Sequence, residues 1–230
     1  AVCHVYRQTW GLQTLKAMME GDEFGEIIAV EGRYWQSSTA QHALEAEKPK
    51  TWKNDLQLNG PHDVLLDIGT HWIDAALYLL GELPVGGACW LSYINAETSH
   101  RDSHVHLQLD FSKGQRALAS ISKTVHGATN QFEIHILGSH LSATWNFLEP
   151  DHIWIGKGGE RRLRVRKSNE WGSRQAAFHA TGWIEGYIEI AYQLLRKISG
   201  SSDARFPSLA ENLSMLEFLF KLPKQTQNAK

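Results

Sequence analysis

The chain has 230 residues, 42% of them hydrophobic, and its 23 basic and 25 acidic residues leave a net charge of -2. That is enough chain for a substantial core, and the balance of charge gives no footing for nucleic acid or an anionic membrane. Cys3 and Cys89 stand far apart with no CxxC pair, which argues against a disulfide framework or a zinc site and suits a reducing cytoplasm. The longest apolar run, residues 75–80, is too short to span a bilayer, and no signal peptide opens the chain.

Residues 1–7 alternate like a strand. Residues 9–20 read as an amphipathic helix with Leu12, Leu15, Met18 and Met19 as its apolar stripe, ended by Gly21. Residues 26–36 alternate as a strand, and 37–61 are polar and rich in turn formers, a long loop. A strong helix over 67–80 closes at Gly81 and Pro84. Strand-like runs follow at 85–94, 104–111, 115–124, 131–137, 141–147, 152–155 and 161–166, separated by turn signals such as Ser112-Lys113-Gly114 and Gly138-Ser139. Helices over 175–198 and 208–220 end the chain, the latter started by Pro207. A meander bracketed by helices predicts an α+β fold, an open and largely antiparallel sheet with helices on one face. No GxGxxG opens a βαβ unit and no GxxxxGK[ST] is present; Gly156-Lys157-Gly158-Gly159 lies between two strand-like runs and reads as a hairpin turn.

The stretch Asp67-Ile68-Gly69-Thr70-His71-Trp72-Ile73-Asp74 is the richest in chemistry. Helical spacing sets Asp67, His71 and Asp74 on one stripe. A carboxylate beside an imidazole holds one tautomer, favours the protonated ring and makes histidine a proton carrier near neutral pH. The same spacing also suits a plain helix start, with Asp67 as cap or dipole partner and His71 as a satisfied helix histidine.

Asp67-Ile68-Gly69-Thr70-His71-Trp72-Ile73-Asp74 followed by Leu79-Leu80-Gly81 resembles the D-x-G-x-H-x-x-D…LLG helix of the Gfo/Idh/MocA oxidoreductases, relatives of glucose–fructose oxidoreductase and inositol dehydrogenase. Tyr6-Arg7 and Gly21-Asp22-Glu23-Phe24-Gly25-Glu26-Ile27 resemble the family's passage into its first long strand, and Phe206-Pro207-Ser208-Leu209 its closing segment. The resemblance runs through the whole chain in order. It implies a C-terminal substrate-binding, catalytic and oligomerisation domain over residues 1–230. The N-terminal dinucleotide-binding domain that would hold NAD or NADP is then absent from this chain, which alone is expected to be inactive and to bind no NAD tightly. Under it, His71 exchanges a proton with a hydroxyl of a sugar, polyol or related small molecule, and Asp67 orients or polarises that site. Arg7, Tyr6, Arg33, Trp52, His179 and Trp183 are candidates for lining the substrate seam, and a homodimer or homotetramer through the sheet is the implied assembly. The family's lysine motif precedes the segment matching Tyr6-Arg7, so Glu47-Lys48-Pro49, which follows it, reads as a surface segment. Where the family carries a glycine run near a Trp-Arg pair, this chain has Trp52-Lys53 and Asn59-Gly60-Pro61-His62, which leaves the substrate open.

Two other classes fit parts of the sequence. His104-Val105-His106 with Asp110 is a loose match to the H-x-H-x-x-x-E spacing of metal-binding cupin barrels, although alternation alone sets Val105, Leu107, Leu109 and Phe111 towards a core. A non-enzymatic scaffold would use the uncovered sheet face, with Arg162, Arg164 and Arg166 as a solvated or interfacial row rather than a nucleic-acid stripe.

Overall fold

The computed structural model describes residues 1–40, 55–94, 101–167 and 183–228. Its frame is one nine-stranded sheet in the order β8-β7-β6-β5-β1-β4-β3-β2-β9. The strands are β1 (Ile27–Trp35), β2 (Gly86–Tyr93), β3 (His104–Asp110), β4 (Arg116–Ser122), β5 (Gln131–Gly138), β6 (Ser142–Asn146), β7 (His152–Lys157), β8 (Glu160–Val165) and β9 (Lys224–Asn228). The pairs β2·β3, β3·β4, β5·β6, β6·β7 and β7·β8 are the antiparallel meander that the alternating runs predict. β1 sits at the centre, antiparallel to β5 but parallel to β4. The Lys157-Gly158-Gly159-Glu160 segment is the β7–β8 hairpin, with Gly158 at positive φ. The sheet is open, with β8 and β9 as its edges, so the barrel alternative is corrected.

One face is apolar because alternation is strict: Val105, Leu107 and Leu109 on β3, Ala117, Ala119 and Ile121 on β4, Phe132, Ile134 and Ile136 on β5 are all buried. Against it pack α1 (Trp10–Glu20), capped by the Thr9 side chain, and a helical segment running Leu65–Leu80. Two glycines permit the closest approaches. A Cβ on Gly32 of β1 would lie 2.1 Å from the Glu133 carbonyl oxygen and 2.8 Å from Trp72 Nε1. One on Gly186, in the helix Trp183–Ile198, would lie 2.8 Å from both Cβ and the carbonyl oxygen of Val5. The last helix, Leu209–Lys221, starts on a Ser208–Glu211 capping box rather than on Pro207 itself.

The opposite face carries Glu31, Arg33, Trp35, Trp90, His106 and Glu133 around a shallow depression of about 470 Å³.

Three elements differ from their sequence pattern. Val5–Gln8 is a 3-10 turn, not a strand: all four residues are buried, so the alternation marks no solvent face. β9 is polar throughout and joins β2 in parallel by backbone pairing, which side-chain patterning does not register. The 67–80 helix begins as a π-helical turn, Leu65–Gly69, and becomes α-helical only at Thr70. Of the 37–61 loop and the 175–198 helix, residues 41–54 and 168–182 lie outside the described residues, and with them Lys48, Trp52 and His179.

Candidate active site

The π turn aims the helix that carries Asp67 and His71. Its start is capped from another element: buried Asp102 accepts the amide hydrogens of Asp63 and Leu65, each at 2.8 Å. Burial pushes the Asp102 carboxyl up, but hydrogen bonds from His62 and from those two amides outweigh it and hold it low. Asp67 is therefore not the cap. Its side chain is 40% exposed, and Oδ2 accepts from Lys123 Nζ at 2.6 Å. Lys123 stands just past the end of β4, is itself buried, and also reaches Asp63 Oδ1 at 2.6 Å.

His71 is partly buried among rings. Tyr6 and Tyr34 stand edge-on to it at centroid distances of 5.8 and 6.5 Å, and His4 at 5.1 Å. The His4 and His71 Nδ1 atoms are 3.4 Å apart. Burial first, then the neighbouring His4, lowers the His71 pKa to about 4; the charge of Asp67 works the other way and loses. Asp67 does favour the protonated ring, but burial and His4 outweigh it, and His71 is held neutral at pH 7. Beside it, Tyr6 and Tyr34 form a closed triangle with Asn130. Tyr6 donates to Tyr34 Oη at 2.9 Å, Tyr34 donates to Asn130 Oδ1 at 2.8 Å, and Asn130 Nδ2 donates back to Tyr6 Oη at 2.9 Å. Burial raises the pKa of both tyrosines, and Asp67 adds to the rise at Tyr34.

Asp74, third on the stripe, faces inward. Arg7 clamps it, with Nη2 on Oδ1 and Nε donating to Oδ2 at 3.1 Å, while Arg7 Nη1 reaches Glu211 Oε1 at 2.9 Å. Burial pulls against the Arg7 charge, but Asp74 and Glu211 together raise its pKa; at Asp74, burial pushes the carboxyl up against the pull of Arg7. Arg7 is thus committed to an internal ion pair, and Tyr6, 1% exposed, meets the site through its ring edge against His71 and its hydroxyl network. Arg33 points to the other face of the sheet, where it pairs with Glu133 at 3.3 Å and lies over Trp35. Trp183 is 54% exposed and stands edge-on to Tyr187 at 5.9 Å.

The structure adds His4, Tyr34, Lys123 and Asn130 to Asp67 and His71. A signal for Lys123 exists in the sequence: it continues the inward parity of Ala117, Ala119 and Ile121. His104 and His106 lie on the uncovered face with their Nε2 atoms 3.2 Å apart. Among the described residues no three His, Cys, Asp or Glu gather as a metal site. Arg166, grouped above with Arg162 and Arg164, is buried against Asp151, with Nε 2.6 Å from Oδ1. No helix among the described residues is long and apolar enough to cross a membrane.

An open, mostly antiparallel sheet with helices on one face and a histidine–aspartate helix laid across it defines the class. The model of the GFO/IDH/MocA C-terminal domain matches residues 12–144, which include Asp67 and His71, and the chain belongs to that family. Levoglucosan dehydrogenase of Pseudarthrobacter phenanthrenivorans is 25% identical over 180 residues, covering 69% of this chain and 45% of that protein. The inositol dehydrogenase homolog of Azotobacter vinelandii, solved with NAD+, superimposes with a TM-score of 0.84 at 18% identity, over 95% of this chain and 60% of that one. A levoglucosan dehydrogenase complex with NADH and levoglucosan gives 0.81 at 22%, over 96% and 64%. The chain therefore spans about half of the curated relative and under two thirds of these solved chains, and at these identities the solved structures establish the fold.

Proposed function

We propose that the whole protein is an NAD- or NADP-dependent dehydrogenase acting on a hydroxyl of a sugar, polyol or related small molecule. In this reading the present chain supplies the substrate and proton-handling half. The observation that carries it is His71: a neutral, partly exposed imidazole beside an anchored carboxylate, on the helix that the family match includes. Relatives named for levoglucosan and inositol support the substrate class.

Oxidising an alcohol removes a hydride, the chemistry a bound nicotinamide supplies, and a proton. Of the double glycines among the described residues, Gly86-Gly87 begins β2 and Gly158-Gly159 makes the β7–β8 hairpin, and neither opens a helix that could cradle a phosphate. The relatives solved with NAD+ and NADH run well beyond the part this chain matches, so the cofactor is assigned to sequence outside this chain and only the proton is assigned here. A neutral ring can accept a hydroxyl proton at once, and because its proton affinity is low it does so as the departing hydride acidifies that proton. Asp67, pinned by Lys123, stabilises the imidazolium that results and orients the site. Tyr34, with its proton committed to Asn130, borders the same space.

Self-association through the uncovered sheet face, where Trp35 and Trp90 line the depression, and a cytoplasmic setting belong to the same reading. The test is to offer the full-length protein myo-inositol, levoglucosan and L-sorbose with NAD or NADP and follow cofactor absorbance. Turnover of at least one is expected. Failure with these and with a broad polyol panel would overturn the proposal.

A further inference from the structure

We infer that His4 is a positioning residue: with Asn212 it fixes His71 in the Nδ1–H tautomer and leaves Nε2 as the basic atom. The inference rests on the proton-carrier reading above and adds which ring nitrogen acts and what selects it. The chain of contacts has three members. Asn212, on the last helix, places Oδ1 2.9 Å from His4 Nε2. A carbonyl oxygen only accepts, so His4 Nε2 carries the hydrogen. In the neutral ring His4 Nδ1 is then a lone pair, aimed at His71 Nδ1 3.4 Å away. Two lone pairs do not face one another across that distance with profit, so His71 Nδ1 carries the hydrogen and His71 Nε2 is bare. Among the described residues His71 Nε2 has no hydrogen-bond partner.

The packing supports the assignment. His4 is 5% exposed, and it and Tyr6 meet His71 edge-on, so the ring cannot swing to exchange its two nitrogens without displacing both. The charged groups nearby are Asp67, which acts on His71 by its charge, and the Arg7–Asp74–Glu211 cluster, which is internally paired. The last helix thereby reaches the reacting atom through two side chains: Asn212 sets His4, His4 sets His71, and Nε2 faces the hydroxyl. A histidine locked the other way would present a donor where an acceptor is needed.

Long-range 1H–15N correlation spectra of the ring nitrogens read the tautomers directly in this 230-residue chain at pH 7, without cofactor or substrate. Wild-type His71 should give a protonated Nδ1 and an unprotonated Nε2, and His4 the reverse. In His4→Phe, which keeps an aromatic ring in place but removes the acceptor, the Nδ1–H share of His71 should fall below half. A wild-type His71 that is mainly Nε2–H overturns the inference, as does a His71 tautomer unchanged in a folded His4→Phe. Since this measurement needs no turnover, its failure is distinguishable from failure of the proton-carrier reading, which is judged by the kinetics of His71 variants.

Discussion

Arg7→Met isolates the ion pair that ties the chain's start to its middle and end. Arg7 is 7% exposed and Asp74 4%, and the guanidinium grips both carboxylate oxygens of Asp74. Methionine keeps most of the stem's volume but leaves a buried carboxylate without its counter-charge. Breaking one partner of such a pair costs about 3–5 kcal/mol, a large share of the roughly 5–15 kcal/mol that holds a domain folded. The contact with Glu211 adds little, because the Glu211 side chain is 53% exposed. Replacing both partners, Arg7→Met with Asp74→Leu, removes the orphaned charge and should return stability to within about 1–2 kcal/mol of the parent. Burial already pushes the Asp74 carboxyl up. The deficit of the single variant should therefore shrink on acidification, as the orphaned carboxyl takes a proton. Urea unfolding at constant m-value measures all three quantities. A single variant that loses less than about 1 kcal/mol, or a double variant less stable than the single, would refute the reasoning.

Other outcomes follow from the same geometry. His71 ionises at about 4 when folded, against its ordinary 6.5, so above pH 6.5 it contributes no pH dependence. As the pH falls from 6.5 to 4 the unfolded chain takes a proton that the folded one refuses, and stability drops by up to about 3 kcal/mol. The stability difference between wild type and His71→Leu should change by that amount over that window, and a difference that stays flat would contradict it. Gly32→Ala drives a Cβ into the Glu133 carbonyl, a backbone atom that cannot step aside, and should cost about 1–3 kcal/mol or more in thermal or urea unfolding. Lys123→Met leaves Asp63 and Asp67 facing each other without their shared cation. The His71 pKa, followed by NMR titration, should rise in that variant as the Asp67 charge is felt more fully.

Much of this architecture is legible in the sequence because its signals are local. Alternation in β3, β4 and β5 marks which side chains meet the core, and Gly81, at positive φ, marks where the His71 helix stops. What the sequence hides is non-local. β9 has no apolar face and is held by backbone bonds to a strand about 130 positions earlier. The buried Val5–Gln8 turn mimics a strand because both of its sides are covered. Asp67, His71 and Asp74 share a stripe in spacing but separate in space. Asp74 is drawn inward by Arg7, Asp67 is taken by Lys123, and His71 is turned to His4. Spacing also suggests that the carboxylate governs the ring's charge, whereas burial governs it, and burial is set by Tyr6, Tyr34 and His4, none of them neighbours of His71 in the chain.

The central claim is that His71 carries the proton. It is tested most directly by kcat for cofactor reduction in the full-length protein with its best polyol substrate, wild type against His71→Ala. General-base catalysis of this kind contributes about 10²- to 10⁴-fold. The account predicts a fall in kcat of that order, with fold and cofactor binding retained. Near-normal turnover in His71→Ala would contradict it.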